Sequence, residues 1–152
     1  MLFCGIASSG EEIFLSPVEQ QILKQRLALI ILHQHKLGCY DFYVTCNYGV
    51  PLWAAEIICM FKKHMHINLH ISAPHEEQSS YWEEDHRERY MRVHRMADTI
   101  AFVSFPYDPD SYRCADEFMV SKSTYLLMYG DPDAEAYVEE YAKDIGKVIE
   151  HI

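Results

Sequence analysis

No C-x-x-C pair occurs in this chain of 152 residues, and its five cysteines (Cys4, Cys39, Cys46, Cys59 and Cys114) are odd in number and scattered. That pattern excludes both a disulfide framework and a zinc ribbon and predicts reduced, mostly buried thiols. Long apolar runs are missing as well. None approaches the roughly 20 residues needed to cross a bilayer, and the opening Met-Leu-Phe-Cys-Gly lacks the basic segment of a signal peptide. The expectation is a soluble, cytoplasmic protein with no membrane contact. Positive charge is scarce: 13 basic against 23 acidic residues give a formal charge of -10, which repels a phosphate backbone and disfavours a nucleic-acid partner. Neither G-x-G-x-x-G nor the P-loop G-x-x-x-x-G-K is present, and H-E-x-x-H is absent too. Nine histidines include the close pairs His33/His35 and His64/His66, but residues two apart on a helix point to different sides. With no Cys/His ligand set beside them, no metal and no built-in cofactor is expected.

What the chain does hold is 49% hydrophobic residues, 13% of the total aromatic, enough for one filled core in a single domain over 1–152. Five short apolar runs, Leu2 to Ala7, Phe42 to Thr45, Ile67 to Ile71, Thr99 to Val103 and Tyr125 to Met128, alternate with helical patterns. That alternation predicts an α/β fold, a three-layer Rossmann-like sandwich with about five mostly parallel strands and helices on both faces. Ser16-Pro17-Val18-Glu19 is a capping box with proline at the first helical position, and Gly38 closes the same helix. A second helix follows Gly49, a third begins after Trp82, and a fourth covers about Tyr112 to Lys122. A fifth, acidic one runs from about Ala134 to Ile149, with no sixth strand expected. Arg87, Arg89, Arg92 and Arg95 read as the solvated face of the third helix, opposite a stripe of Trp82, His86, Tyr90, Val93 and Ala97.

In such a sheet, ligands bind beyond the carboxyl ends of the strands, near the point where strand order reverses. The sharpest candidate is the strand-turn-helix passage from Tyr43 to Cys59. Amides at the start of a helix attract phosphate or carboxylate, Gly49 lets backbone approach closely, and Asn47 and Tyr48 offer a hydrogen bond and a ring. A plain turn that uses Gly49 for its dihedral angles accounts for the same residues. Glu56, the only charge between Val50 and Phe61, is either a ligand contact or base or the mark of a narrow solvent edge. Cys46 is the thiol best placed for activation by a helix N-terminus, with small-residue packing as the alternative. The loop from Pro74 through His75 and Glu76 to Tyr81 and Trp82 either closes over a ligand or is anchored to the core by its two aromatics.

Collinear segments then carry a resemblance. Gly49-Val50-Pro51-Leu52-Trp53-Ala54-Ala55-Glu56 is followed by Pro74-His75-Glu76-Glu77-Gln78 leading to Trp82, then by Arg89-Tyr90 with Ala97-Asp98. Ser104-Phe105-Pro106-Tyr107, Phe118-Met119-Val120 with Ser123, and Leu126-Leu127-Met128-Tyr129 continue the order. The series resembles the YpsA-like branch of the SLOG superfamily, Rossmann-like domains that bind nucleotide-derived ligands. The chain departs from the family pattern at several places. Thr45-Cys46 stands where Ser-Gly is usual, Pro51 where an acidic residue follows the central glycine, and Ile6-Ala7-Ser8 where a Gly-His-Arg-Pro-like turn ends the first strand. Ala115-Asp116 and Ser121 replace an Arg-Asn pair and an aspartate.

The resemblance implies binding of a small nucleotide-derived molecule at the strand ends, with amides around Asn47 to Gly49 on its phosphate. The implied contact set is Gly5, Cys46, Asn47, Tyr48, Gly49, Trp53, Glu56, Pro74, His75, Glu76, Ser104 and Tyr107. Two further readings stay open. One is a nucleoside-phosphate hydrolase using Glu56 or Glu76. The other is a regulatory protein-interaction module, a homo-oligomer or a protein partner, that has kept the fold and lost the pocket.

Overall fold

The capping box forms as its residues predict. Ser16 Oγ accepts from Glu19 N at 3.2 Å, the Glu19 carboxylate accepts from Ser16 N at 2.9 Å, and α1 runs over Pro17–Lys36. Gly38, with φ 98, ends the turn that follows and leads into the second strand. Leu23, Leu27 and Ile31 face the core, while Ile22 lies on the exposed side of the helix. These features come from a computed structural model, which describes residues 1–104, 108–131 and 137–152.

Six parallel strands build one sheet: β1 (Leu2–Ser8), β2 (Cys39–Val44), β3 (Asn68–Ala73), β4 (Thr99–Phe102), β5 (Tyr125–Tyr129) and β6 (Val148–His151). Their spatial order is β4-β3-β2-β1-β5-β6. The chain winds outward from β1 to β4, then returns past its start to place β5 on the other side. The reversal of order therefore falls between β1 and β5, where a doubly wound sheet opens a crevice.

Helices α1, α2 (Val50–Phe61) and α3 (Glu84–Met96) supply the larger core cluster on one face of the sheet. Helices α4 (Ser111–Lys122) and α5 (Tyr137–Asp144) supply the smaller cluster on the other. Helix α2 is the central one, and eight of its twelve residues are buried, which accounts for its nearly uninterrupted apolar sequence. Among the described residues, no helix is long and apolar enough to cross a membrane.

Two expectations are corrected. The acidic segment near the end of the chain is not one helix to Ile149. Helix α5 stops at Asp144, Gly146 turns the chain with φ 77, and Val148–His151 pairs with β5 as a sixth strand. An edge strand with one exposed side needs no long apolar run, so Val-Ile-Glu-His gave no strand signal. Gly5, expected as a ligand contact, lies inside β1, which runs one residue past the predicted Leu2 to Ala7. A Cβ on Gly5 would stand 2.5 Å from Ser123 Oγ and 2.6 Å from Met119 Sδ. Its smallness admits α4, not a ligand.

Candidate functional site

Beyond the carboxyl ends of β1 and β2, three pieces of chain converge: the Ser8-Ser9-Gly10 turn, the Thr45 to Gly49 loop, and the face of α4 that carries Asp116. They line a crevice of ≈ 210 Å³ whose polar wall is formed by Ser8, Ser9, Thr45, Asn47 and Asp116, with Tyr48 and Pro51 beside them. This is the edge at which the fold class places ligands.

The head of α2 adjoins that crevice. Gly49 is its N-cap, with φ 114, and a side chain there would be strained whatever the space. Just past the Asn47 to Gly49 amides expected on a phosphate, the first positions of α2 offer no free N–H. Val50 N donates to Glu12 Oε1 at 2.8 Å, residue 51 is proline and has no N–H, and Leu52 N donates to Asn47 O at 3.1 Å. Glu12 comes from a 3-10 turn (Glu11–Phe14) that follows β1, and it is fully buried. Its Oε1 also accepts from Ser8 Oγ at 2.6 Å and stands where a Cβ on Gly49 would collide with it. The first amide of this helix head is thus taken by the protein's own carboxylate, which the positive end of the helix dipole favours. Glu12 Oε2 and Ser9 Oγ are buried with no hydrogen-bond partner among the described residues.

Asp116 is half-buried and makes no hydrogen bond or ion pair among the described residues. Burial, with the charge of Glu117 adding to it, pushes its carboxyl up to about 7. Around neutrality it is therefore partly protonated and can both donate and accept.

A second crevice, of ≈ 340 Å³, lies between the loop after β3 and the start of α4, lined by His75, Gln78, Tyr81, Asp108, Ser111 and Tyr112. Gln78 stands between the two crevices. Its Nε2 donates to Thr45 O at 3.1 Å and to Asn47 Oδ1 at 2.8 Å, while its Oε1 accepts from Tyr90 Oη at 3.0 Å. The loop is therefore anchored by Gln78, with Trp82 packed edge-on to Tyr48 and Tyr90. Tyr81, expected as an anchor, is 99% exposed.

The sequence-derived contact set is only partly gathered here. Asn47 and Tyr48 line the first crevice and His75 the second, edge-on to Tyr112. Tyr48 is also stacked on His86, with ring centroids 4.0 Å apart. Gly49 touches Glu12 instead of open space. Cys46 is fully buried in the left-handed region, φ 59, and burial pushes its thiol well up, so the expected activation is overturned. Trp53 belongs to the core, with Lys24 Nζ 4.7 Å over its ring. Pro74 is buried, and Glu76 is exposed and lines neither crevice. Glu56 is gripped by Arg89 through two bonds, of 2.6 and 2.8 Å, so Arg89 leaves the solvated face on which it was expected. Ser104 Oγ donates to Asp108 Oδ2, and Tyr107 lies outside the described residues. Sequence reasoning missed Glu12 and passed over Asp116 as a departure; the acidic pair Glu11-Glu12 ahead of Ile13-Phe14 was the available signal.

Comparison with known proteins gives the lineage of this fold. A model described as the YspA SLOG family matches residues 16–151. A UPF0398 protein of Halalkalibacterium halodurans is 37% identical over 131 residues, covering 82% of this chain and 65% of that protein. A UPF0398 protein of Bacillus cereus is 32% identical over 111 residues, 69% of this chain and 60% of that protein. The UPF0398 protein YpsA of Bacillus subtilis is 32% identical over 95 residues, 60% of this chain and 53% of that protein. The chain spans between about half and two thirds of the length of these relatives. A match that runs through five of the six strands and all five helices assigns the chain to the YpsA family of SLOG proteins.

Proposed function

We propose that this chain binds a small nucleotide-derived molecule at the carboxyl-terminal edge of its sheet, and that the first crevice receives the nucleoside part of the ligand. The observation that carries this reading is Asp116, an unpartnered carboxyl raised to about 7 in the crevice beside the strand-order reversal. A carboxyl in that state pairs with sugar hydroxyls or a base amine. Ser8, Ser9, Thr45 and Asn47 add further donors and acceptors, and Tyr48 offers an aromatic edge. A phosphate in the same place would meet Asp116 and the carboxylate of Glu12 at the helix head, where the amide that would have held it is taken. The ≈ 210 Å³ volume suits one ring system, and Gln78 leads from it to the second crevice for the remainder of the ligand.

The hydrolase reading draws no support from its two carboxylates, since Glu56 is held by Arg89 and Glu76 lies outside both crevices. Thermal shift with nucleosides, mononucleotides and dinucleotides tests the binding reading. At 100 times its dissociation constant, a ligand stabilises the fold by about 2.7 kcal/mol. At least one nucleoside-containing compound should raise Tm in the wild type, and Asp116→Ala should remove that shift. A flat response to the whole panel overturns the reading.

A further inference from the structure

The outward face of α3 has a charge order that is complementary to itself. Glu84, Glu88, Met91, Arg92 and Arg95 follow helical spacing and are all exposed, while Tyr90 and Val93 on the other side are buried. The exposed stripe carries Glu84 and Glu88 at its start, Met91, which is 48% exposed, at its middle, and Arg92 and Arg95 at its end, with Arg87 exposed on the opposite flank from Arg92. Among the described residues none of Glu84, Glu88, Arg87, Arg92 or Arg95 takes part in an ion pair, although Glu88 and Arg92 are four residues apart. In a chain with a formal charge of -10, three arginines of one helix take part in no ion pair among the described residues. They border a depression of ≈ 400 Å³ together with Glu88 and Met91.

We propose that two copies of this chain associate through antiparallel α3 helices about a two-fold axis. A two-fold interface brings the same patch together twice, so the patch must complement its own reversal. Here reversal sets Glu88 of one copy against Arg92 of the other and Glu84 against Arg95, each twice by symmetry, with Met91 near the axis. Parallel apposition would set like charges on like. Exposed ion pairs alone hold little, and apolar area is needed beside them. The neighbouring groove between α2 and α3, ≈ 330 Å³ in volume, supplies such area through Cys59, Val93, Met96 and Met60, which is 63% exposed, beside the charged Glu56, Lys63 and Arg92. At about 0.15 M salt the Debye length is about 8 Å, so the repulsion between two acidic bodies is largely screened while contact pairs persist.

Sedimentation velocity of the full chain at that ionic strength, over a range of concentrations, tests the proposal by charge exchange. The wild type should form a dimer. Glu84→Arg/Glu88→Arg and Arg92→Glu/Arg95→Glu should each sediment as monomers, and an equimolar mixture of the two should recover the dimer. Melting curves establish that each variant is folded. If a double variant does not fold, Glu88→Arg and Arg92→Glu repeat the exchange singly. A monomeric wild type, a dimer indifferent to both reversals, or folded variants that fail to reassociate when mixed would each overturn the proposal. A monomeric wild type would leave the arginines to an acidic segment of another protein.

Discussion

At the head of α1 the orphan amides are met from within one turn, by Ser16 and Glu19, whereas at the head of α2 the carboxylate comes from Glu12, 38 residues away in sequence. The first cap is complete as soon as the helix forms. The second exists only when the 3-10 turn after β1 has docked against the head of α2. This difference bears on function, because a helix head without a local cap looks open to a ligand when only its own sequence is considered. The α2 head, with Gly49 before Val50-Pro51, has that appearance and is nonetheless filled. An expectation of phosphate near this glycine meets a chain in which a carboxylate from elsewhere takes the Val50 amide.

The comparison can be broken most severely at Gly49. Gly49→Ala forces a Cβ into a positive-φ position against the Glu12 carboxylate and should cost about 3 kcal/mol or more, read by urea denaturation. Glu12→Ala leaves Val50 N and Ser8 Oγ without their acceptor and should cost about 2 kcal/mol, with Glu12→Gln costing less because an amide oxygen still accepts. The two changes share one contact. In the double variant the penalty should therefore fall short of the sum, and strict additivity would show that Glu12 does not press on Gly49. At the locally capped head, Ser16→Ala should cost about 1 kcal/mol and should couple to nothing near α2.

A dependence on pH gives a further test, at the crevice itself. The carboxyl of Asp116 is raised from 3.8 to about 7 in the folded protein, so the folded state holds this proton more tightly than the unfolded chain does. Its contribution is fully present below the unfolded value and is lost as pH rises through about 7. Asp116→Asn should match the wild type near pH 4 and exceed it in thermal stability at pH 8. Equal curves at both pH values would mean that Asp116 is not desolvated.

Much of the fold is legible in the residues. The capping box, the stop at Gly38, five apolar runs and the Gly49 turn locate four helices and five strands to within a few positions. The sixth strand is not legible, because Val148–His151 borrows its order from β5 and carries little apolar signal of its own. The crevice is legible only in part. Asn47, Tyr48 and His75 belong to loops that the alternation sends to one edge, so their chain positions sufficed. Trp53, Cys46 and Gly5 have ligand-like types at ligand-like places, yet sheet and helix packing turned them into the core. Glu56 reads as a stray charge until Arg89 on the next helix is seen to hold it.

The sequence by itself determined the layer order, the starts of the first four helices and the location of the open edge; the start expected near Ala134 lies outside the described residues. These depend on short-range patterning and on capping groups that lie within a turn of each other. Which polar groups remain free at that edge was decided by the tertiary structure alone. A carboxylate far along the chain is desolvated and paired only through contacts that form on folding, so Glu12 closed one site and left Asp116 open.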